Sequence, residues 1–212
     1  LYTASMNAAQ RLPPGLEPGD RLGEGRRSVV YEASWKGQQI ALKLYRPEFV
    51  SKYRERFGLD IARFEYDRNQ AFIEVPGLAR YAARPLAALG QDDGFSPAFL
   101  QERVEGLTLT ELGMRERGLP EEVIAAGRRI VRLAEAAGLH DLDLFYRNIL
   151  VRKNRDGWAP VIHDFNLVPQ YLFPPNPFLS LAYRLGIRKK SHRDYRCIRQ
   201  SREFSDSCSG TT

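Results

Sequence analysis

The chain has 212 residues, of which 43% are hydrophobic and 27% are charged. These proportions exclude a disordered or fibrous protein, and the length suffices for one core or two small cooperating lobes but not for two large domains. The net charge of +6 favours anionic partners such as nucleotides, phosphosugars or membrane headgroups.

The cysteine content and the hydropathy pattern indicate a cytoplasmic protein. Cys197 and Cys208 are the only cysteines, too few to cross-link a secreted scaffold. No run reaches the roughly 18 apolar residues of a membrane helix, and the first residues lack a signal-peptide pattern. We therefore expect a cytoplasmic protein, and attachment to the inner face of the membrane is compatible with this location.

Both ends of the chain are predicted to lie outside the folded part. Residues 1–19 contain several prolines and glycines, which break helices and strands, and are predicted to be flexible. The folded part is predicted to begin near Asp20. Residues 205–212 are predicted to be disordered.

A glycine-rich turn precedes the first predicted hairpin. The runs 28–35 and 39–44 are rich in strand-forming residues. Gly23 and Gly25 lie just before them and would let backbone N–H groups approach phosphates. Taken alone, two such glycines more often form an ordinary tight turn.

A lysine interrupts the second strand of this hairpin. Lys43 lies in an otherwise apolar run, where a charged amine needs an acidic partner or an anionic ligand. A lysine reaching out from an edge strand is the simpler explanation. A helix is predicted over 51–74, and Glu65 is the preferred partner, with Glu55 as the competitor because the helix phase is not fixed.

The remaining predicted elements divide the chain into two lobes. Strands at 81–89 and 99–104 complete an N-terminal lobe over 20–104, made of an antiparallel sheet and one helix. Helices at 109–117 and 120–137, then strands at 148–151 and 160–163, form a short C-terminal lobe over 105–204. The predicted fold class is α+β.

Three polar residues after the long helix give the clearest indication of a chemical function. Asp143 lies five residues before Asn148, which leads into a short apolar strand, and Asp164 follows the next strand. This is the order in which a kinase places the aspartate that serves the acceptor hydroxyl and the two side chains that bind Mg²⁺. Each residue alone could be an ordinary turn or surface residue.

Taken together, these motifs resemble a known family. The span 20–204 resembles a minimal bacterial protein-kinase-like protein, most closely the PhoP regulatory network (YrbL-like) family and more distantly the lipopolysaccharide core kinases. The resemblance implies a two-lobed fold with ATP between the lobes, Lys43 on the α- and β-phosphates, Asp143 serving the acceptor, and Mg²⁺ on Asn148 and Asp164. It also implies a set of nucleotide-binding positions: Gly23, Gly25, Ser28, Val30, Ala41, Lys43, Glu102 and Val104.

The sequence also departs from the family pattern. Ser28 replaces the third loop glycine, Asp141 and Leu142 replace a His-Arg pair, and Asn166 replaces a glycine. Phe145 replaces the lysine that lies near the γ-phosphate in protein kinases, and the candidate substitutes are Arg26, Arg27 and Arg147. Only 48 residues follow Asp164, so we do not expect a full peptide-binding lobe.

The segment 171–202 combines aromatic and basic residues. Eight basic residues against one acid lie between 184 and 202. Such a composition is typical of segments that make peripheral membrane contact. Packing against the C-terminal lobe is the preferred interpretation, because a lobe this short needs the apolar area, and a solvated basic tail is a further alternative.

The sequence therefore predicts an ATP- and Mg²⁺-dependent phosphotransferase. Its acceptor would be a hydroxyl group, for example on a phosphosugar or a lipid-linked envelope saccharide. The alternative is a pseudokinase, a regulatory module that binds nucleotide or a partner without chemistry. Binding to nucleic acid ranks last, because only the charge favours it.

Overall fold

The computed structural model describes residues 11–155 and 157–209, together with all of their side chains except those of Gln91, Arg147 and Ser209. The chain divides into two compact units. The first comprises residues 1–70 and 83–104, and the second comprises 71–82 and 105–212.

The first unit contains a five-stranded antiparallel sheet with the strand order β1-β2-β3-β5-β4. The β2–β3 hairpin closes through Lys36 and Gly37, which both have positive φ, as a two-residue hairpin turn requires. The five strands are β1 (Leu16–Glu24), β2 (Ser28–Trp35), β3 (Gln38–Tyr45), β4 (Pro85–Leu89) and β5 (Ala98–Glu102).

Strand β1 begins at Leu16, four residues before the predicted start of the folded part at Asp20. It includes Pro18 and Gly19, which we expected to prevent strand formation. Proline is tolerated here because β1 is an edge strand of the sheet. The pairing with β2 is irregular between Pro18 and Arg21.

Two helices replace the single helix predicted over 51–74. Helix α1 (Pro47–Phe57) ends at Gly58, whose left-handed φ of 65° allows the backbone to turn back onto the last helical carbonyls. Helix α2 (Ile61–Glu74) then starts afresh, with the Asp60 side chain accepting a hydrogen bond from the Arg63 backbone N–H. The prediction of one helix was wrong because it overlooked these two stop and start signals.

The described residues of the second unit form a small antiparallel sheet and four helices. Its strands, in the order β6-β7-β8, are β6 (Leu107–Thr108), β7 (Ile149–Asn154) and β8 (Gly157–Ile162). Its helices are α3 (Leu109–Arg115), α4 (Glu121–Ala136), α5 (Pro177–Arg184) and α6 (His192–Ser209). Short 3₁₀ turns cover Ala79–Tyr81 and Tyr146–Asn148 in this unit, and Gln91–Asp93 in the first.

Helix α6 corrects the predicted C-terminal boundary. It extends to Ser209, so residues 205–209 are helical where we expected disorder, and residues 210–212 lie outside the described part. Packing holds the helix in place, because Phe204 and Ile198 lie against Gly113 of α3 and Gly127 of α4. No helix within residues 11–155 and 157–209 is long and apolar enough to cross a membrane.

Each unit has its own hydrophobic core. In the first unit, the cluster lies on one face of the sheet and includes Ile40, Leu42 and Leu100. In the second, the apolar face of α4, which includes Val123, Ile130 and Ala134, is buried in one cluster with Ile149 and Ile162 of the small sheet. Both cores follow the strand and helix periodicities of the sequence.

Gly106 gives a test of backbone packing in the second unit. A Cβ atom at this position would lie 2.3 Å from the Val151 carbonyl oxygen, because β6 pairs with β7 at the next residue. We expect Gly106→Ala to lower the free energy of unfolding by about 2 kcal/mol, a fall of roughly 4 to 8 °C in the thermal midpoint. Gly23→Ala, which would meet no atom within 4 Å, is the matched control; equal midpoints for both variants would contradict the expectation.

Candidate functional site

Several of the predicted nucleotide-binding residues share one face of the first unit's sheet. Gly23 pairs with Val30, Val30 pairs with Lys43, and Lys43 pairs with Phe99, so these four residues form a row across four strands. Ala41 shares the face because it precedes Lys43 by two residues. The apolar cluster containing Leu42 occupies the other face.

Lys43 forms a buried ion pair on this face. Its Nζ lies 2.7 Å from Oε1 of Glu65 on α2, and the two residues are only 2% and 0% exposed. The Tyr45 hydroxyl donates to the second oxygen of the same carboxylate. Of the two glutamates considered from the sequence, Glu65 therefore contacts Lys43, whereas Glu55 is exposed on α1.

The environment of the pair indicates more than a structural role. Removing two charges from water costs several kcal/mol per ion, and their attraction offsets this cost only with good geometry and additional hydrogen bonds. Two apolar side chains of similar size would stabilise the unit as well or better. The pair instead holds an ammonium group in a fixed position, as the binding of an anion such as a phosphate requires.

The glycine turn leaves open space. The Gly25 backbone N–H donates to the Ser28 carbonyl at 2.9 Å, which closes the turn between β1 and β2. Neither Gly23 nor Gly25 has a positive φ, and a Cβ atom at Gly23 would meet nothing within 4 Å. The fold itself thus does not require glycine at position 23. A ligand that approaches the backbone closely would explain why a glycine is present there.

The predicted adenine-contacting segment follows β5. The Glu102 backbone N–H donates to the Arg84 carbonyl at 2.8 Å, so this N–H is not available to a nucleotide base. Val104 lies two residues further on, beyond the end of the strand. The roles assigned to Glu102 and Val104 stay predictions.

The second unit carries the loop with Asp143. Leu142 and Leu144 on either side are 2% and 1% exposed, so their burial fixes the backbone from which the half-buried Asp143 projects. Asp141 and Asp143 both have positive φ, at 57° and 56°. Such a conformation is strained for residues other than glycine, although aspartate tolerates it better than most.

Asp194 on α6 holds this loop, a role that we did not predict from the sequence. Its carboxylate accepts hydrogen bonds from the backbone N–H groups of Asp141, at 2.8 Å, and Leu142, at 2.7 Å. The Asp141 carboxylate in turn accepts from the Gln170 N–H at 2.7 Å, and Arg193 lies 3.6 Å from it. One signal was present: Asp194 is the single acid in the basic stretch 184–202.

Asn148 and Asp164 lie at the same end of the β7–β8 hairpin. Ile149 pairs with Ile162, so Asn148 directly precedes the first pair of the ladder and Asp164 follows it by two residues. One Asp164 oxygen accepts a hydrogen bond from the Asn166 N–H at 3.2 Å. Phe165 anchors the segment by packing on Phe72, with ring centroids 5.1 Å apart.

The donor atoms at this hairpin end suit Mg²⁺. The ion prefers oxygen ligands and is commonly held by one or two protein side chains together with substrate phosphates. An amide and a carboxylate provide such a set. Within the described residues there is no cluster of three or more His, Cys, Asp or Glu that would form a protein-only metal site.

The structure describes the side chains of two of the three arginines that could replace the missing lysine. Phe145 lies against Tyr146, with ring centroids 4.3 Å apart. Arg26 is exposed, with its guanidinium 5.8 Å from the Phe49 ring centroid, and Arg27 is half-buried. The side chain of Arg147 lies outside the described part.

Cys197 does not have the features of a reactive cysteine. Both cysteines are unpaired by disulfide. Burial, with smaller contributions from the nearby Asp143 and Asp194 carboxylates, raises the pKa of Cys197 to about 12. Its thiol therefore stays protonated at neutral pH.

Solved structures with the same architecture were found by comparison. The kinase domain of Mycobacterium tuberculosis PknI matches with a TM-score of 0.53 and 19% identity, over 78% of this chain and 65% of that domain. A double mutant of the same domain gives 0.54 and 22%, over 80% and 67%. The fold is that of a protein kinase domain. The predicted α+β, kinase-like fold class is confirmed, in a chain that spans about two thirds of the length of these domains.

The narrower resemblance has no further support. No family model and no curated protein sequence matches the chain. Similarity to the YrbL-like family and to lipopolysaccharide core kinases therefore rests on the motifs alone. At 19 to 22% identity, the solved structures establish the fold and not the activity.

The buried ion pair generates a prediction for stability. Lys43→Met leaves the Glu65 carboxylate buried without its ammonium partner and should cost about 3 to 5 kcal/mol of unfolding free energy. In the double variant with Lys43→Met and Glu65→Leu, most of the lost unfolding free energy should be recovered. Denaturant titration would measure this recovery. The exchanges Lys52→Met and Glu55→Leu, at exposed positions of α1, serve as the control. The prediction would be contradicted if the double variant lost as much unfolding free energy as the two single variants lose together.

Asp194 provides a second prediction. Asp194→Ala leaves two buried N–H groups without their acceptor, at about 1 to 3 kcal/mol each, and should accelerate hydrogen exchange at the Asp141 and Leu142 amides. Asp206→Ala, at an exposed position of the same helix, should leave that exchange unchanged. Equal exchange in the two variants would show that Asp194 does not hold the loop.

Proposed function

We propose that this chain is an ATP- and Mg²⁺-dependent phosphotransferase acting on a hydroxyl acceptor. The observation that supports it best is the buried Lys43–Glu65 ion pair on a kinase fold. In protein kinases, the equivalent lysine and glutamate must be paired for phosphoryl transfer. In this chain Lys43 and Glu65 are paired.

The first unit would bind the nucleotide. The Lys43 ammonium would hold the α- and β-phosphates, and the backbone around Gly23 and Gly25 would approach them. Val30 and Ala41, on the same face as Lys43, would contact the base. The backbone at Glu102 and Val104 would supply its polar contacts, with the Glu102 N–H excluded because it is bonded to Arg84.

The second unit would provide the metal ligands and the residue that serves the acceptor. The Asn148 amide oxygen and the Asp164 carboxylate would hold Mg²⁺, which when bound neutralises charge on the β- and γ-phosphates. Asp143 would orient the acceptor hydroxyl and accept its proton. The acceptor oxygen then bonds to the γ-phosphorus as the bond from phosphorus to the β,γ-bridging oxygen breaks, and ADP leaves.

The acceptor would be anionic. The basic stretch 184–202 attracts negative charge, which favours a phosphosugar or a lipid-linked saccharide at the inner face of the membrane. The motif resemblance to lipopolysaccharide core kinases points to the same class.

A nucleotide-binding pseudokinase is the second candidate function. It is favoured by Phe145, which in the motif replaces the lysine that lies near the γ-phosphate in protein kinases. Without a replacement cation, binding would persist while transfer would be slow.

Thermal unfolding with ATP, with and without Mg²⁺, tests the nucleotide site. Ligand at 100 times its dissociation constant adds about 2.7 kcal/mol, which for a chain of this size raises the midpoint by roughly 5 to 11 °C. We expect that rise only with Mg²⁺, and we expect Asp164→Asn to remove the Mg²⁺ dependence. An unchanged midpoint under both conditions would contradict the proposal.

Transfer itself is tested with Asp143→Asn, by following ADP formation with an envelope extract as the acceptor pool. This variant should keep the Mg²⁺-ATP thermal shift and lose most turnover, because it lacks the proton acceptor. Equal turnover in the two proteins would rule out the assigned role. Binding without turnover in either protein would favour the pseudokinase.

A further inference from the structure

Helix α5 of the second unit presents an apolar face to solvent. Phe178, Leu181 and Leu185 lie at helical spacing i, i+3 and i+7, and they are 85%, 53% and 62% exposed. Ile187, just beyond the helix, is 77% exposed. Leu179 and Tyr183, on the opposite side of the helix, are half-buried. The face that points away from the protein is therefore the more apolar one, the reverse of an ordinary surface helix.

Local interactions fix this helix at both ends. The Asn176 side chain accepts a hydrogen bond from the Leu179 N–H at 2.8 Å, and Pro177 occupies the first turn. At the other end, Gly186 has a φ of 68°, and the Arg188 N–H returns to the Ala182 carbonyl at 3.1 Å. The exposed face is thus part of a defined structure. Large apolar side chains clustered in this way mark interaction surfaces.

The charged residues on α5 and in the segment through Lys190 are all basic. Arg184, Lys189 and Lys190 are exposed, and Arg188 is half-buried. The sequence contains no acidic residue between Asp164 and Asp194. A second copy of the chain would bring like charges together, which disfavours self-association through this face.

A cationic groove continues this surface along α4 and α6. It has a volume of about 660 Å³ and is lined by Arg128, Arg132, Arg199 and Arg202. A second pocket, of about 720 Å³, adjoins α5 and is lined by Phe178, Ile187 and Arg188. Tyr195 lines both. Burial, together with the positive charges of Arg188, Arg199 and Arg196, lowers the pKa of His192, which lines the second pocket.

We propose that α5 and the segment through Lys190 form a docking surface for an anionic lipid bilayer. Phe178, Leu181, Leu185 and Ile187 would enter the boundary between headgroups and acyl chains, while the flanking cations would contact lipid phosphates and carboxylates. Side chains of mixed aromatic, aliphatic and basic character around one short helix are what such an interface binds. The inference does not rest on the proposed phosphotransferase activity.

Cosedimentation with phosphatidylcholine vesicles, with and without phosphatidylserine, tests this surface. We expect binding only to the anionic vesicles and weaker binding as the salt concentration rises. Combining Arg184→Gln, Lys189→Gln and Lys190→Gln should reduce the partition coefficient about 100-fold, since each basic residue near the surface contributes roughly fivefold. Combining Phe178→Ser with Ile187→Ser should reduce it at least about tenfold.

Matched variants separate this surface from a general effect of charge. Lys52→Gln, Arg54→Gln and Arg56→Gln remove three exposed charges from α1, and Leu22→Ser with Met114→Ser removes two exposed apolar side chains elsewhere. These controls should change vesicle binding less than about threefold. All of the altered residues are exposed, so the thermal midpoints should stay unchanged.

Three outcomes would overturn the proposal: no binding to anionic vesicles, equal loss from the α5 and α1 charge variants, or undiminished binding by the Phe178→Ser, Ile187→Ser protein. The first would assign the apolar face to a protein partner. Because vesicle binding needs no nucleotide, failure here leaves the thermal shift with Mg²⁺-ATP unaffected.

Discussion

The architecture of the first unit's candidate site depends on the buried Lys43–Glu65 ion pair. Strand β3 must bring an ammonium group to the face of the sheet opposite the apolar cluster, and α2 must bring a carboxylate within 2.7 Å of it. Tyr45, two residues along the strand, reaches the same carboxylate. An apolar pair would avoid the desolvation cost, so stability alone does not account for this arrangement. A ligand that needs a positioned positive charge, such as the phosphates of the proposed nucleotide, would account for it.

The main constraint in the second unit is a strained loop that the surrounding structure must stabilise. Asp141 and Asp143 both have left-handed backbones, and such conformations persist only where the surroundings determine them. Burial of Leu142 and Leu144 supplies part of that constraint, and the two hydrogen bonds to Asp194 and the one from the Gln170 N–H to Asp141 supply more. Helix α6 is in turn fixed by Phe204 and Ile198 against glycines of α3 and α4, so the loop depends on helix packing.

Short-range sequence patterns predicted much of the structure, whereas the long-range contacts could not be predicted from them. The β2 and β3 strands follow from alternation and a Lys-Gly turn, and the row of Gly23, Val30 and Lys43 follows from antiparallel pairing. The choice between Glu55 and Glu65 stayed open because the helix break at Gly58 resets the phase. Asp194 was missed because it acts on a loop 53 residues earlier in the chain, a contact that no local pattern encodes. The outward apolar face of α5 was likewise undetermined, since amphipathic spacing does not say which side meets protein.

Helix α6 links the loop to the proposed membrane surface. The carboxylate of Asp194 holds the backbone of Asp141 and Leu142, while the next residue, Tyr195, lines both the arginine groove and the pocket beside α5. Because Tyr195 lines the pocket beside α5, a bilayer bound to α5 would lie next to the turn of α6 that fixes the loop. If docking favours one position of that turn, loop order and membrane affinity must change together, because coupling between two binding events is reciprocal. The second unit would then favour phosphoryl transfer where a lipid-linked acceptor is present.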